Sequence, residues 1–164
     1  MSPATGGAVP AWQDALPHAL WRAQQAVHRR LQTALDGLDV TPTQLGLAVH
    51  LDELGAMSAS DLARLFRLTP QSVTTALAQL ERLGWIRRLP HPVHGRVILN
   101  ELTETGLAGV TEGRARVTEI DGLFAEILGD DGRGEVVARL QKLTVALEGE
   151  DPPAGAMWPV SGGT

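Results

Sequence analysis

The chain of 164 residues contains no cysteine, a single lysine and no long run of apolar residues. Without cysteine it can form no disulfide and no thiol redox sensor, and it can hold no cysteine-ligated zinc or iron–sulfur centre. No apolar stretch reaches the roughly eighteen residues of a membrane span, and no charged and then apolar leader precedes a small-residue cleavage site. These absences predict a cytoplasmic protein that neither spans a membrane nor is secreted.

Catalytic and metal-binding motifs are missing as well. Ser, His and Asp occur, but without a nucleophile elbow, a glycine-rich phosphate loop or paired helical carboxylates, so no enzymatic activity is predicted. Of the five histidines, His18 and His28 are ten residues apart, and His91 and His94 are three apart in a loop. Because this is not the spacing of zinc ligands, the sequence predicts no metal site and no cofactor.

The segment from residue 58 to 102 predicts a helix, a turn, a second helix and a β-hairpin. Ser58 with Asp61, and Thr69 before Pro70, are typical helix starts, and Gly84 is a typical helix end. The predicted elements are helices 59–66 and 70–83 and strands 85–89 and 96–102, joined by a Pro- and Gly-containing loop. This order presents one helix to a nucleic-acid duplex, with the hairpin as a wing.

The remaining helices are predicted from apolar periodicity and caps. An apolar stripe predicts a helix over residues 14–38, and Thr41, Pro42 and Gln44 start another that ends at Gly55. Thr103 caps a helix of about seven turns, and a last helix is predicted from about residue 134 to 147. The apolar faces of these long helices exceed what the small lobe can cover, so we expect a homodimer.

These patterns define a fold class that is mainly α with a small β-hairpin wing. The predicted winged helix-turn-helix lobe spans residues 41–102. Long N- and C-terminal helices, at residues 14–40 and 103–148, form the predicted dimerisation region. Residues 1–13 and 149–164 are small and rich in Pro and Gly, which predicts disordered tails.

The positive charge is concentrated in the predicted DNA-binding segment. The chain has a formal net charge of −5, yet residues 58–100 hold six arginines and only two acids, a local charge of +4. Salt screens exposed charges beyond roughly 10 Å at 0.1 M, so a basic lobe can meet phosphate while acidic helices face elsewhere. An acidic protein is therefore compatible with DNA binding.

Several motifs resemble the multiple antibiotic resistance regulator (MarR) family. They are Leu80-Glu81-x-x-Gly84, the strand arginine Arg88 and Leu102-Thr103-Glu104-x-Gly106, all at the family's spacing, and the match covers roughly residues 14–148. The resemblance implies a homodimeric transcriptional regulator, most often a repressor, whose two winged lobes bind double-stranded DNA at a palindromic operator. It also implies release from DNA when a small aromatic or phenolic ligand binds between body and lobe.

Two positions depart from the family pattern. Where the wing usually carries an Asp-Arg-Arg-like tip, this chain has His94, Gly95 and Arg96, so an arginine is kept and its carboxylate brace is lost. Thr75 stands where many members have an arginine on the recognition helix, which removes bidentate guanine recognition from the helix centre. Contacts to thymine methyl groups, to adenine through Gln71 and to the DNA backbone are expected instead.

The predicted DNA-binding residues lie on the recognition helix, on the helix before it and on the wing. They are Arg64, Arg67, Thr69, Gln71, Ser72, Thr74, Thr75, Arg82, Arg87, His94 and Arg96. A solvated helix face and ordinary surface arginines are the alternative interpretation. Arg88 shares a strand face with Ile86, which favours an ion pair within the protein.

A ligand pocket is predicted from four side chains on the first two helices. Trp21, Gln25 and His28 follow one stripe beside the apolar seam of the first helix, and His50 lies on the second. The same residues would also suit a dimer interface. The sequence thus predicts a ligand-responsive, dimeric DNA-binding regulator, with a winged-helix protein-interaction module that does not read DNA as the alternative.

Overall fold

Six α-helices and a three-stranded antiparallel sheet make up residues 11–149, the part of the chain that the computed structural model describes. After a 3-10 turn at Trp12–Asp14, the elements are α1 (Leu16–Ala34), α2 (Pro42–Leu54), β1 (Met57–Ser58), α3 (Ala59–Phe66), α4 (Pro70–Arg82), β2 (Ile86–Pro90), β3 (Ile98–Leu102), α5 (Glu104–Leu128) and α6 (Asp130–Glu148). The predicted fold class, mainly α with a small β wing, is confirmed. Within residues 11–149, no helix combines the length and the apolar character needed to cross a bilayer.

Side-chain caps set the starts of α2 to α5, as the sequence predicts. Thr41 and Gln44 form a reciprocal capping box, in which each side chain accepts the backbone N–H of the other. Ser58, Thr69 and Thr103 accept the N–H three residues ahead in the same way. Each cap satisfies an N–H that the helix leaves unpaired, so in the sequence the cap residue directly precedes the first residue of its helix.

The short strand β1 is an element that sequence reasoning missed. Met57 and Ser58 pair with Asn100 and Leu99, so that β3 becomes the central strand of the order β1-β3-β2. The buried Asn100 amide donates to the Met57 carbonyl at 3.1 Å. A strand of two residues has no alternating pattern of its own, and it exists only because β3 offers partners.

The main core lies between α2, α3, α4 and the sheet. Its fully buried side chains include Leu47, Ala48, Leu62, Val73, Leu80 and Leu99. The α4 helix ends in a Schellman motif, in which Trp85 N–H bonds the Leu80 carbonyl and Gly84 adopts φ +72°. Gly84 therefore turns the chain directly from α4 into β2.

Three glycines on α5 let this helix lie directly against the lobe. A Cβ at Gly106 would overlap the Trp85 carbonyl oxygen, and one at Gly109 would overlap the Trp85 indole. At Gly113 it would meet the Leu45 side chain. Trp85 is buried, and its packing against α5 requires that Gly106 and Gly109 carry no side chain.

Replacing a glycine on this contact face is expected to destabilise the fold. Gly106→Ala places a methyl group against backbone, which cannot move aside, and overpacking of this kind costs about 1–3 kcal/mol. Gly122→Ala is the control, because nothing lies within 4 Å of its Cβ and helix propensity alone favours alanine. In urea unfolding, Gly106→Ala should lower the free energy of unfolding, and Gly122→Ala should raise it. Equal stability of the two variants would contradict close packing of α5 on the lobe.

Four predicted boundaries are corrected by the structure. α6 begins at Asp130, four residues before the predicted start, because Gly129 at φ +73° turns the chain and acidic residues open the first turn. α1 ends at Ala34 rather than 38, and residues 35–39 form turns. Trp12–Asp14 form a 3-10 turn that overlaps the end of the predicted tail of residues 1–13, and Gly149, at the start of the predicted tail of residues 149–164, caps α6. The rest of both predicted tails lies outside the described residues.

Candidate nucleic-acid interface

The α4 helix has one buried and one exposed face. Val73, Ala76, Leu77 and Leu80 pack into the core. Gln71, Ser72, Thr74 and Thr75 are exposed on the opposite side. An uncharged, hydrogen-bonding surface of this kind can approach base edges without an electrostatic preference for one base.

The hydroxyl groups of this face are already oriented by the helix. Thr74 donates to the Pro70 carbonyl at 2.8 Å, and Thr75 donates to the Gln71 carbonyl at 3.0 Å. Their hydroxyl hydrogens are therefore used within the helix. The threonines can offer a partner their methyl groups and oxygen lone pairs, which suit a thymine methyl and a base amino group.

The N-terminus of α4 is built to meet an anion. Thr69 accepts the Ser72 N–H at 3.2 Å, and the two hydroxyl groups lie 2.8 Å apart. Pro70 occupies the first turn, and no acidic residue lies there. The remaining N–H groups and the helix dipole favour a phosphate at this position.

Arg64 and Arg67, the predicted phosphate contacts near the turn, both interact within the protein. Arg64 lies 3.6 Å from the buried carboxylate of Asp61. Arg67 adopts the left-handed conformation that ends α3 and donates to the carbonyls of Glu148 and Gly149 at 2.8 and 3.3 Å. Arg67 thereby joins the helix-turn-helix to the end of α6.

Arg87 and Arg88 lie on opposite faces of the wing. Arg87 pairs with Glu101 at 2.6 Å, beside a cavity lined by α2 and α5. Arg88 pairs with Glu81 at 3.0 Å and lines a small cavity together with Thr74 of the recognition helix. The ion pair expected for Arg88 is present, but the structure places Arg88, rather than the predicted Arg87, beside α4.

Arg82 and Arg96 are the arginines of this region without an acidic partner within residues 11–149. Arg82 is exposed at the end of α4 and donates to the Gln79 side chain. Arg96 is exposed at the wing tip. Exposed ion pairs contribute only about 0–1 kcal/mol, so Arg88, whose partner Glu81 is also exposed, can exchange its carboxylate for phosphate.

The wing tip is organised by His91, which the sequence suggested only as a metal ligand of unsuitable spacing. His94 is exposed, as expected of a DNA contact, whereas His91 is 2% exposed. The two rings lie 5.1 Å apart between centroids. Within residues 11–149, no group of three or more His, Asp or Glu side chains is arranged to hold a metal ion.

An apolar cavity of about 430 Å³ lies between α1, α2 and α5. It is lined by Leu31, Leu35, Pro42, Leu45, Gly46, Val49, Arg114, Val117 and Thr118. Arg114 at its edge pairs with Asp52 at 3.2 Å and Glu53 at 2.8 Å. Simple apolar periodicity marks most of these residues as core, so nothing in their pattern indicates that they surround a void.

The four predicted ligand residues are not brought together in that cavity. Trp21 is 56% exposed and its ring lies 6.0 Å from that of His18. His28 lines a different groove that also includes Leu140 of α6. His50 Nδ1 donates to the Gly46 carbonyl at 2.9 Å, and the ring packs edge-on against Phe66. Gln25 is half-buried on α1.

A winged helix-turn-helix DNA-binding regulator is the class of protein that this fold and interface define. Residues 38–97 match the MarR family. A helix-turn-helix-type transcriptional regulator of Mycobacterium bovis is 31% identical over 132 residues, covering 79% of this chain and 90% of that relative. The chain belongs to the MarR family of transcriptional regulators.

Two solved structures share the fold. The transcriptional repressor CouR, bound to a 23-mer DNA duplex, matches with a TM-score of 0.77 at 23% identity, covering 84% of this chain and 99% of that chain. BpsR of Bordetella bronchiseptica, whose DNA binding is regulated by 6-hydroxynicotinic acid, matches with a TM-score of 0.77 at 22% identity, covering 83% and 97%. At these identities the similarity shows the fold alone.

Proposed function

We propose that this MarR-family regulator is a homodimeric, ligand-responsive repressor that acts in the cytoplasm on a pseudo-palindromic operator. The observation that carries the proposal is the uncharged, exposed face of α4 beside Arg88, with Arg82 exposed at the end of the helix and Arg96 at the wing tip. Such a face can enter the major groove while the arginines meet flanking phosphates. The repressor role is supported by a relative from Mycobacterium bovis, a helix-turn-helix-type transcriptional repressor that is 27% identical over 128 residues, covering 78% of this chain and 92% of that relative.

Dimerisation is supported by apolar side chains that the single chain leaves exposed on α1, α5 and α6. They are Leu16, Leu20, Leu107, Leu123, Ile127, Leu128, Val136, Val137, Leu140, Leu143, Val145 and Leu147. An apolar surface of this extent favours burial against a second copy by two-fold symmetry. We assign dimerisation to residues 14–40 and 103–148 and DNA reading to residues 41–102.

The DNA contacts follow from the chemistry of each side chain. Gln71 can bind adenine through its amide, and Thr74 and Thr75 can contact thymine methyl groups. Thr69, Ser72 and the backbone at the start of α4 are placed for a phosphate. The wing supplies further backbone contacts through His94 and Arg96. Recognition of A·T pairs at the helix centre is therefore favoured over guanine recognition.

Ligand response is assigned to the cavity between α1, α2 and α5. Its volume of about 430 Å³ lies within the range of small-molecule sites, and its walls are mostly apolar. Because α2 belongs to the DNA-binding lobe and α1 and α5 to the body, an occupant would change how the lobe sits on the body. The Arg114 guanidinium at the edge suits a small aromatic acid or phenol that competes with Asp52 and Glu53.

Blocking the cavity mouth is expected to abolish ligand binding. Thr118 lines the cavity and is exposed on α5, so Thr118→Trp adds bulk at the mouth without entering the core. A panel of single-ring aromatic acids and phenols, including 6-hydroxynicotinic acid, is screened by thermal shift. A binder at a hundred times its Kd should stabilise the wild type by about 2.7 kcal/mol and leave Thr118→Trp unchanged.

Thr111→Trp is the matched control for that experiment. Thr111 is also exposed on α5 and, like Thr118, donates to the carbonyl four residues earlier, but it does not line the cavity. The control should respond to the binder as the wild type does. An equal response of both tryptophan variants, or no response of the wild type to any compound, would remove the cavity as the ligand site.

Selection from a random-sequence duplex pool tests the DNA-reading proposal as a whole. The wild-type protein should enrich an inverted repeat whose half-site centres lie about 10 base pairs apart. Each half-site should contain an A·T-rich step opposite Gln71, Thr74 and Thr75. Enrichment of no sequence would overturn the proposal.

A further inference from the structure

His91 occupies an unusual position for a buried side chain. It directly follows β2 at the start of the wing loop, where Pro92, Val93, His94, Gly95 and Arg96 are all exposed. Yet His91 itself is only 2% exposed, among the most deeply buried polar residues of the described chain. A buried imidazole needs hydrogen-bond partners, and the loop provides them.

The His91 ring binds two backbone N–H groups of the wing loop. His91 Nδ1 accepts the N–H of Val93 at 3.1 Å and the N–H of His94 at 3.0 Å. A nitrogen that accepts must carry a lone pair, so the ring proton of this arrangement is on Nε2. The pattern matches the turn in which an Asn or Asp side chain accepts the N–H two residues ahead.

Two backbone hydrogen bonds complete the loop. His91 N–H donates to the Val97 carbonyl at 2.8 Å, and Val97 N–H donates to the His94 carbonyl at 2.7 Å. Together with the two bonds to Nδ1, they define the path of the chain from β2 to β3. The side chain of Arg96, in contrast, has no hydrogen bond or ion pair to any residue from 11 to 149, so its position depends on this backbone path.

We propose that His91 is a positioning residue for DNA binding, whose buried imidazole holds the wing loop so that His94 and Arg96 reach the duplex. The inference rests on the proposed DNA-reading function. It assigns this role to a residue that does not itself touch DNA.

The substitutions separate hydrogen bonding from packing. His91→Asn keeps an acceptor, because Asn Oδ1 is as many bonds from Cα as His Nδ1. His91→Leu keeps apolar bulk and removes the acceptor. Amide hydrogen exchange of Val93 and His94 reports directly, without DNA, on their hydrogen bonds to His91 Nδ1. Both amides should be protected in the wild type and in His91→Asn, and should lose protection in His91→Leu, while core amides stay protected in all three.

Duplex affinity is then measured by fluorescence anisotropy, on the duplex selected by the wild-type protein. His91→Leu should weaken binding by roughly tenfold, the equivalent of losing two hydrogen bonds of modest strength. His91→Asn should restore most of that affinity. The Arg96→Ala substitution should cost less in the His91→Leu background than in the wild type, because an arginine that is no longer positioned contributes little.

Each outcome decides between the positioning role and simple packing. Full affinity of His91→Leu, failure of His91→Asn to restore binding, or additive effects of His91→Leu and Arg96→Ala would overturn the positioning role. If the wild type selects no duplex, the DNA-reading proposal fails and the positioning role fails with it. The amide-exchange result distinguishes a failure of the DNA-reading proposal from a failure of the loop geometry, since it tests the hydrogen bonds to His91 Nδ1 whether or not DNA is bound.

Discussion

The affinity of the wild-type protein for its selected duplex is expected to fall about a thousandfold between roughly 50 and 200 mM salt. Binding to phosphates releases condensed counterions, and neutralising about six phosphates per dimer gives a decrease of that size. Arg82, Arg88 and Arg96 of both protomers are sufficient to neutralise them. The dependence is measured by fluorescence anisotropy over a series of salt concentrations. A decrease of less than about tenfold would contradict phosphate-dominated binding.

The adjacent arginines of β2 provide a matched test of where the phosphates lie. Arg88 lines a cavity with Thr74, whereas Arg87 lies beside α2 and α5, and each pairs with one glutamate. Arg88→Ala should reduce the salt slope by about one for each phosphate that is no longer neutralised, and Arg87→Ala should leave the slope unchanged. The reverse result would restore the sequence-based prediction that Arg87 contacts DNA and would place the duplex on the other face of the wing.

Disrupting the predicted dimer is expected to reduce operator affinity to the non-specific level, about a thousandfold or more weaker. Leu140 and Leu143 are 41% and 37% exposed on α6, and Leu140 lines an apolar groove with α1. The double substitution Leu140→Glu, Leu143→Glu places two charges in a surface that a second copy would bury. The variant should be a folded monomer by light scattering and circular dichroism.

Leu54→Glu is the control for the dimer experiment. Leu54 is 40% exposed, almost the same as Leu140, but it lies at the end of α2, outside the helices assigned to dimerisation. This variant should remain dimeric and keep its affinity. A Leu140→Glu, Leu143→Glu protein that stays dimeric, or a monomer that binds the operator as tightly as the wild type, would contradict two-fold recognition.

The sequence was most informative where local chemistry sets the structure. Each hydroxyl cap, from Thr41 to Thr103, is followed within one residue by the helix that it predicts, because an N-cap satisfies a specific backbone N–H. Gly84 likewise ends α4 where predicted. Apolar periodicity then identifies the buried face of α4, since Val73, Leu77 and Leu80 all lie in the core.

Features that depend on contacts between distant residues could not be read from the sequence. β1 exists through pairing with Asn100 and Leu99, more than forty positions away. Strand alternation distinguishes the faces of Arg87 and Arg88 but does not say which face lies beside α4. His91 was recognisable only as a histidine in a loop, because its burial and its two backbone donors arise from the folded path of the wing.

The sequence predicted the exposed face of α4 but not the cavity between α1, α2 and α5. The exposed polar face of α4 follows from helical geometry, so the placement of Gln71 and Thr75 was accessible from the sequence. The cavity depends on how α1, α2 and α5 pack, and its lining residues look like ordinary core positions. The stripe of Trp21, Gln25 and His28 resembles a pocket wall in the sequence, yet the cavity is lined by Leu31 of α1 and by Leu35 just after that helix.

Hydroxyl-radical footprinting of the selected duplex tests most directly whether two copies of this chain read DNA together. Two protected regions should lie on the same side of the duplex, with centres about one helical turn apart and related by a dyad. The flanking positions reached by the wings should lose protection in Arg96→Ala. Protection of a single half-site, or of two regions on opposite sides of the duplex, would contradict the account.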